Sequence, residues 1–128
     1  MLETKLLPDA EFDVMQVVWG AELPISSVQV YSASAEQKGW KPQTVLTLLT
    51  RLEKKGFVRS EKRGKERYYW PLVSREQYLQ QETGQFIERY HGNSVKGLMA
   101  ALFGGKKPKA SDLNELEAWL AEQANGDE

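Results

Sequence analysis

The chain has 128 residues, a formal net charge of -1 at neutral pH and no cysteine. This length fits one compact domain or two small ones, and it allows a hydrophobic core that is stable without disulfides or other cross-links. The lack of cysteine excludes disulfides and thiolate zinc sites and fits a reducing cytoplasm. No apolar run approaches the roughly 20 residues of a membrane-spanning helix, and the apolar part of Met1–Pro8 is too short for a signal peptide. We therefore expect a soluble, cytoplasmic protein with no membrane partner.

Two short helices are predicted in the first third of the chain. Apolar residues recur at helical spacing over residues 9–19 and predict the first helix. Ser26 and Gln29 have the spacing of a capping box, in which the two side chains satisfy the free amides at a helix start. They predict a second helix over residues 27–37. We expect this helix to bury Val28, Tyr31 and Ala35.

The strongest periodic segment predicts a third helix from Pro42 to Lys55, because proline suits the first helical turn. Its apolar positions follow the i, i+3, i+4, i+7 pattern of a core-facing stripe: Val45, Leu48, Leu49 and Leu52. Threonine is a mediocre helix former, so three threonines on the opposite face are not expected to serve helix stability. That face can reach phosphates and base edges. It carries Gln43, Thr44, Thr47, Thr50, Arg51 and Lys54.

A basic hairpin is predicted after the third helix. Residues 57–62 and 67–70 have the composition of two strands, with the turn at Arg63-Gly64-Lys65, and Pro71 ends the second strand. Residues 40–67 contain nine basic and three acidic residues, a net charge of +6, so the rest of the chain carries -7. Such a block is expected where one surface meets phosphate, although charge alone does not distinguish it from a solvated face.

Three helices followed by a basic hairpin is the order of a winged helix-turn-helix. We call the hairpin at Lys62–Arg67 the wing. The predicted fold is mainly α with a small β-hairpin, with a winged-helix DNA-binding domain over residues 1–73. The predicted DNA-binding residues are Gln43, Thr44, Thr47, Thr50, Arg51, Lys54, Lys55, Arg63, Lys65 and Arg67.

Residues 74–128 are predicted to form a helical dimerisation region. Ser74 and Gln77 make a second capping box, Gly92-Asn93 interrupts the helix that follows, and a last helix begins near Ser111. These amphipathic helices are too small to form a core alone, so we expect a second copy to cover them. The predicted dimerisation residues are Tyr78, Phe86, Tyr90, Val95, Leu98, Met99, Leu102, Leu113, Leu116 and Leu120.

Other functional classes are less well supported. His91 is the sole histidine, so we expect no metal site, no catalytic residue and no cofactor, and an enzyme is the least favoured class. Trp19, Trp70 and Trp119 lie on apolar faces, which favours packing over stacking on bases. A winged helix that binds only other proteins is the main alternative, but such modules usually lack a basic wing beside a basic helix.

Four segments, in order and at near-constant spacing, resemble the penicillinase-repressor (BlaI/MecI/CopY) family of bacterial regulators. The resemblance covers nearly the whole chain and weakens after about Leu102. The segments are Asp9–Met15 with Trp19, Trp40–Val45, Arg51–Gly56, and Gly64–Tyr69 with Pro71.

This resemblance implies an N-terminal winged helix that binds palindromic operators in double-stranded DNA and a C-terminal part that forms a homodimer. By position it implies that Gln43, Thr44, Thr47 and Arg51 face the major groove and that Lys65 lies near the DNA backbone or minor groove. The expected function is therefore repression of a β-lactam-resistance-type or related stress operon. The residues alone do not distinguish repression from activation.

Three positions depart from the family pattern. Staphylococcal relatives have an Asn-Phe bond that a partner protease cuts, whereas this chain has Ala101-Leu102, so release by cleavage there is not assured. A sensor protease and a small ligand both stay open as inducers. The copper-sensing branch ends in a cysteine cluster, which this chain lacks. Leu46 stands where some relatives have glutamine, so operator preference is expected to differ.

Overall fold

A computed structural model describes residues 6–126. Met1–Lys5 and Asp127–Glu128 lie outside the described residues, and so does most of the N-terminal segment that is too short for a signal peptide. The fold is mainly helical with one small antiparallel sheet, as predicted. The chain divides into two compact units, with the boundary after Gly84. The elements are α1 (Asp9–Trp19), β1 (Ile25–Ser26), α2 (Ser27–Lys38), α3 (Pro42–Lys54), β2 (Val58–Arg63), β3 (Glu66–Pro71), α4 (Arg75–His91), α5 (Val95–Phe103) and α6 (Ala110–Gly126).

The core of the first unit lies between α1, α2, α3 and the sheet. Helix α3 buries the four aliphatic residues predicted from its periodicity, and Pro42 occupies its first turn. Helix α1 contributes Val14, Met15 and Val18, which are wholly buried. A side chain of this kind stabilises the fold by about 1.5–3 kcal/mol when it leaves water. The core therefore holds α3 with its polar face outward.

The prediction for the buried face of α2 is wrong. The capping box of Ser26 and Gln29 forms as predicted. However, the buried residues of the helix are Ser27, Val30 and Ser34, whereas Val28 is 52% exposed and Ala35 is also exposed. Tyr31 is partly buried against the core. The two buried serines are small, so the helix backbone can approach its neighbours closely, which a pattern of apolar residues does not reveal.

The sheet has three strands in the order β1-β3-β2, one more than predicted. Strands β2 and β3 pair from Val58↔Pro71 to Arg63↔Glu66, which leaves a two-residue loop of Gly64 and Lys65. Gly64 has a φ of +65°, a conformation that costs glycine little and that hairpin loops use. The hairpin and its end at Pro71 are thus confirmed. Strand β1 is only two residues long, too short to leave a periodic signal.

Tyr78, at the start of α4, belongs to the core of the first unit and not to a dimer interface. Its side chain is wholly buried. The rings of Phe12, Trp19 and Phe57 lie 5.7–5.8 Å from its own. Its hydroxyl accepts a hydrogen bond from the backbone N–H of Leu7, at 2.7 Å. A side chain enclosed in this way cannot reach a second copy, so the prediction that Tyr78 dimerises is wrong.

Burial raises the pKa of Tyr78 to about 12, while the bond from Leu7 opposes the shift. The folded state thus holds this proton more tightly than the unfolded state, where the pKa is near 10.0. The associated stability is present below pH 10 and is lost as the pH rises through 12. We expect Tyr78→Phe to lose about 1–3 kcal/mol at pH 8, because the Leu7 N–H loses its acceptor.

Urea unfolding at pH 8 and pH 11, followed by tryptophan fluorescence, checks this prediction. The gap in stability between wild type and Tyr78→Phe should narrow at the higher pH, because only the wild type has this phenol to ionise. A gap of equal size at both pH values would contradict the role given to Tyr78.

The second unit comprises the end of α4 together with α5 and α6. Gly92 and Asn93 have φ values of +55° and +64°, which breaks the helix where predicted. Neither α5 nor α6 has a buried residue. Within residues 6–126 no helix is both long enough and apolar enough to cross a membrane. The large apolar residues most exposed in this unit are Phe86, Tyr90, Val95, Leu102, Trp119 and Leu120.

Candidate nucleic-acid interface

The exposed face of α3 is polar apart from Leu46. Because the four aliphatic residues of the opposite face are anchored in the core, these side chains project from a rigid helix. The side chains of Arg51 and Lys54 make no hydrogen bond or ion pair among those found in residues 6–126, so both cations are available to a partner. All six residues predicted for this face are exposed: Gln43, Thr44, Thr47, Thr50, Arg51 and Lys54.

Two threonines of this face bond to their own helix. The hydroxyl of Thr47 donates to the carbonyl of Gln43 at 3.0 Å, and that of Thr50 donates to the carbonyl of Leu46 at 2.9 Å. Threonine hydroxyls in helices often donate a hydrogen bond to the carbonyl four residues earlier. Leu46 itself is 38% exposed. The middle of the face is consequently less polar than its sequence suggests.

A short hydrogen-bond network joins the wing to the end of α3. The guanidinium of Arg67 donates to the hydroxyl of Ser60 at 2.9 Å, and that hydroxyl lies 2.8 and 2.9 Å from the two carboxylate oxygens of Glu53. The network fixes the strands of the hairpin relative to α3. Nothing in the sequence pattern predicted it, because Glu53 and Ser60 belong to elements of different period.

A basic groove of about 230 Å³ lies between α2, α3 and the wing. Lys62, Lys65 and Arg67 line it, against one acidic residue, Glu66. Burial, and then the nearby Tyr31 and Glu53, raise the pKa of Tyr69, so its phenol stays a neutral hydroxyl. Charge predicted the basic residues, but it gave no sign of the uncharged lining, two residues of which come from α2. The full lining is Ser27, Tyr31, Leu46, Lys62, Lys65, Glu66, Arg67 and Tyr69.

Two arginines of β2 lie over the aromatic rings of β3. The guanidinium of Arg59 is 3.9 Å from the ring centre of Trp70, and that of Arg63 is 5.3–5.4 Å from the rings of Trp70 and Tyr68. Arg63 also pairs with Glu61 at 3.1 Å. Trp70 is therefore half-buried and stacks against arginine side chains, whereas its place on an apolar face had predicted packing in the core. Arg63, predicted to bind DNA, uses its Nε donor within the wing, which leaves the N–H donors of its two terminal nitrogens free of any hydrogen bond found in residues 6–126.

Lys55, predicted to bind DNA, has an ion-pair partner within the fold. Its ammonium forms an ion pair with Glu11 of α1. Glu11 is 3% exposed, so its carboxylate depends on this partner for compensation. The pairing spans 44 residues of sequence, and no local signal distinguishes Lys55 from its neighbour Lys54. The structure thus pairs the ammonium of Lys55 within the fold, whereas that of Lys54 has no ion pair among those found in residues 6–126.

The described residues form no cluster of metal ligands. In residues 6–126 no three histidine, cysteine or carboxylate side chains come together as a metal site. His91 lies against the ring of Phe86 in the second unit, 5.7 Å between ring centres. The arrangement on α3 and the wing presents hydrogen-bond donors and cations on an exposed surface, which suits binding of an anionic partner.

Comparison with known proteins adds independent information. Residues 7–122 match the family model for the penicillinase repressor. The chain is 27% identical over 119 residues to the penicillinase repressor of Bacillus licheniformis, covering 93% of this chain and 92% of that protein. It is also 27% identical over 114 residues to the methicillin resistance regulatory protein MecI of Staphylococcus aureus (strain N315), with coverages of 89% and 92%.

Two solved structures are similar to this chain. One is the solution structure of the DNA-binding domain of the repressor BlaI, with a TM-score of 0.54 and 32% identity. The other is the monomeric form of Bacillus licheniformis BlaI in complex with the blaP half-operator, with a TM-score of 0.52 and 32% identity. Each comparison covers 61% of this chain and 94% of the other.

Proposed function

Because this chain belongs to the penicillinase-repressor family, a family of transcriptional repressors and not of enzymes, we propose that it represses transcription by binding double-stranded DNA through α3 and the wing. The exposed polar face of α3 beside the basic groove carries the proposal, since a recognition helix needs donors for base edges and flanking cations for phosphates. The related BlaI structure with a half-operator supports the same use of this domain. A protein that acts on bacterial DNA works in the cytoplasm, where we place it.

Residues of this surface should divide into two classes. Lys65 is exposed in the wing loop and lines the basic groove, which favours phosphate contact, whereas Arg51 projects from α3, which favours a base edge. We expect Lys65→Ala to weaken binding to all sequences alike and to reduce the slope of log affinity against log salt by about 1. Arg51→Ala should cost about 1–3 kcal/mol and relax sequence preference.

Fluorescence anisotropy titrations at several salt concentrations measure both effects. Lys106→Ala, in the loop before α6, is a matched control that removes the same charge outside the winged-helix unit. Unchanged sequence preference in Arg51→Ala would move that residue to the phosphate class. If Lys65→Ala and Arg51→Ala both bound DNA as wild type does, the surface itself would be wrongly assigned. If the wild type bound no DNA, a module that binds only proteins would be favoured.

We propose further that the protein acts as a homodimer on a palindromic operator. Support comes from the second unit, whose α5 and α6 bury no residue within one chain although they carry Val95, Leu102 and Trp119. Apolar faces of this extent usually mark an interface. Two copies related by a twofold axis would place two recognition helices about one DNA turn apart.

The names of the relatives favour a resistance-type target. The two relatives described above are named for penicillinase and for methicillin resistance, and we propose a β-lactam-resistance or related stress operon here. A sensor protease is a proposed partner for induction. The Ala101-Leu102 bond lies inside α5, so a protease could cut it only after local opening of that helix. Mass spectrometry of the repressor isolated from induced cells tests this partner. We expect a cleaved chain, and an uncut chain would contradict the proposal.

A further inference from the structure

The recognition helix offers fewer hydroxyl donors than its three threonines suggest. Thr47 and Thr50 use their hydroxyl hydrogens within α3, in the bonds to Gln43 and Leu46. Each hydroxyl oxygen can therefore only accept a further hydrogen bond. Besides the hydroxyl, the Cβ atom of each threonine carries a methyl group. Both residues are exposed, so these methyl groups belong to the surface proposed to meet DNA.

Leu46 extends this apolar character. It is 38% exposed and precedes Thr50 by four positions, which makes the two side chains neighbours on the helix surface. Thr47 and Thr50 are three positions apart and are neighbours as well. We call Leu46, Thr47 and Thr50 the apolar strip of α3. It lies between the polar side chains of Gln43, earlier in the helix, and Lys54, later in the helix.

We infer, on the basis of the proposed function, that the apolar strip reads the C5-methyl groups of thymine in the major groove. The methyl group of thymine is the one apolar feature that a base pair presents there, and threonine methyls contact it well. The acceptor atoms of guanine and adenine, by contrast, need donors, which Thr47 and Thr50 have already used. Gln43 and Arg51 keep their donors for those acceptors.

This inference makes the half-site sequence partly predictable. At least two thymines should lie opposite the strip, and their methyl groups should contribute affinity. Replacing thymine with uracil removes that methyl group and leaves every hydrogen-bonding atom in place. We expect a loss of about fourfold for each methyl group in contact, the worth of one buried apolar carbon, and no loss at other thymines.

The experiment uses the full chain and a DNA site selected from random sequence, with single thymine-to-uracil substitutions. Two variants at one position provide the matched pair. Thr47→Val keeps a methyl group and removes the hydroxyl, so it should still distinguish thymine from uracil. Thr47→Ser keeps the hydroxyl and removes the methyl group, so it should bind both bases equally at one position. Thermal unfolding verifies that both variants fold.

Equal affinity of the wild type for thymine and uracil at every position would overturn the inference while leaving DNA binding intact. A thymine preference that survives in Thr47→Ser and disappears in Thr47→Val would also overturn the inference, because the hydroxyl and not the methyl group would then recognise thymine. If the wild type selected no DNA at all, the proposed function itself would fail. The three results are therefore distinguishable.

Discussion

Replacing Lys55 with methionine is expected to lower the free energy of unfolding by about 3 kcal/mol, because it leaves the buried carboxylate of Glu11 without a partner. The same substitution at Lys54, one position earlier, should change stability by less than about 0.5 kcal/mol, as is usual at exposed positions. Lys54→Met should instead weaken DNA binding, since we assign that ammonium to a phosphate. Urea unfolding followed by tryptophan fluorescence measures the first effect, and anisotropy titration measures the second.

The double variant Glu11→Leu with Lys55→Met serves as the control. Replacing both members of a buried ion pair with apolar residues often restores stability, so this variant should recover most of the loss. Equal stability of Lys55→Met and Lys54→Met would contradict the structural role of Lys55. That result would return Lys55 to the set of residues proposed to contact DNA.

Placing glutamate at Leu98 and Leu102 together is expected to reduce affinity for a palindromic operator by about a hundredfold or more. Two linked recognition helices bind a double site far more tightly than one, because the second contact is made at high effective concentration. Leu102 is 64% exposed in the single chain and Leu98 is partly exposed, so the charges should disrupt assembly and not the fold. Affinity for an isolated half-site should stay unchanged.

Analytical ultracentrifugation and titration with half and full sites measure this prediction. Ala100→Glu adds a charge to the other side of α5 and is the matched control; it should keep the mass and the affinity of wild type. A wild type that sediments as a monomer at micromolar concentration, or a double variant of unaltered mass, would contradict the proposed interface.

The features predictable from sequence are those with a local signature. Helix α3 combines a four-residue apolar stripe with proline at its start, and the hairpin combines two strand-like runs with Gly64 in the loop. Both elements were predicted to within a residue or so at their ends. The exposed face of α3 follows directly, because burial of one face of a helix leaves the opposite face outward.

The features that sequence could not predict depend on contacts between distant residues. The apolar residues of α2 lie on two faces of the helix, and either face could be buried. Packing against α1 and α3 determines that the buried face is the one with Ser27, Val30 and Ser34. The partner of Lys55 is 44 residues away. Tyr78 packs in the core against Phe12 and Trp19 of α1 and against Phe57, which precedes β2. The hydroxyl bonds of Thr47 depend on a side-chain rotamer, which no periodicity encodes.

The most direct test of the central claim is selection of DNA by the purified full chain from random or genomic fragments at moderate salt. Our account predicts enrichment of one dyad-symmetric sequence whose half-sites lie about 10 base pairs apart or a multiple of that distance. Footprinting should then show protection of both halves. Recovery of no preferred sequence, or of a site without dyad symmetry, would contradict the account.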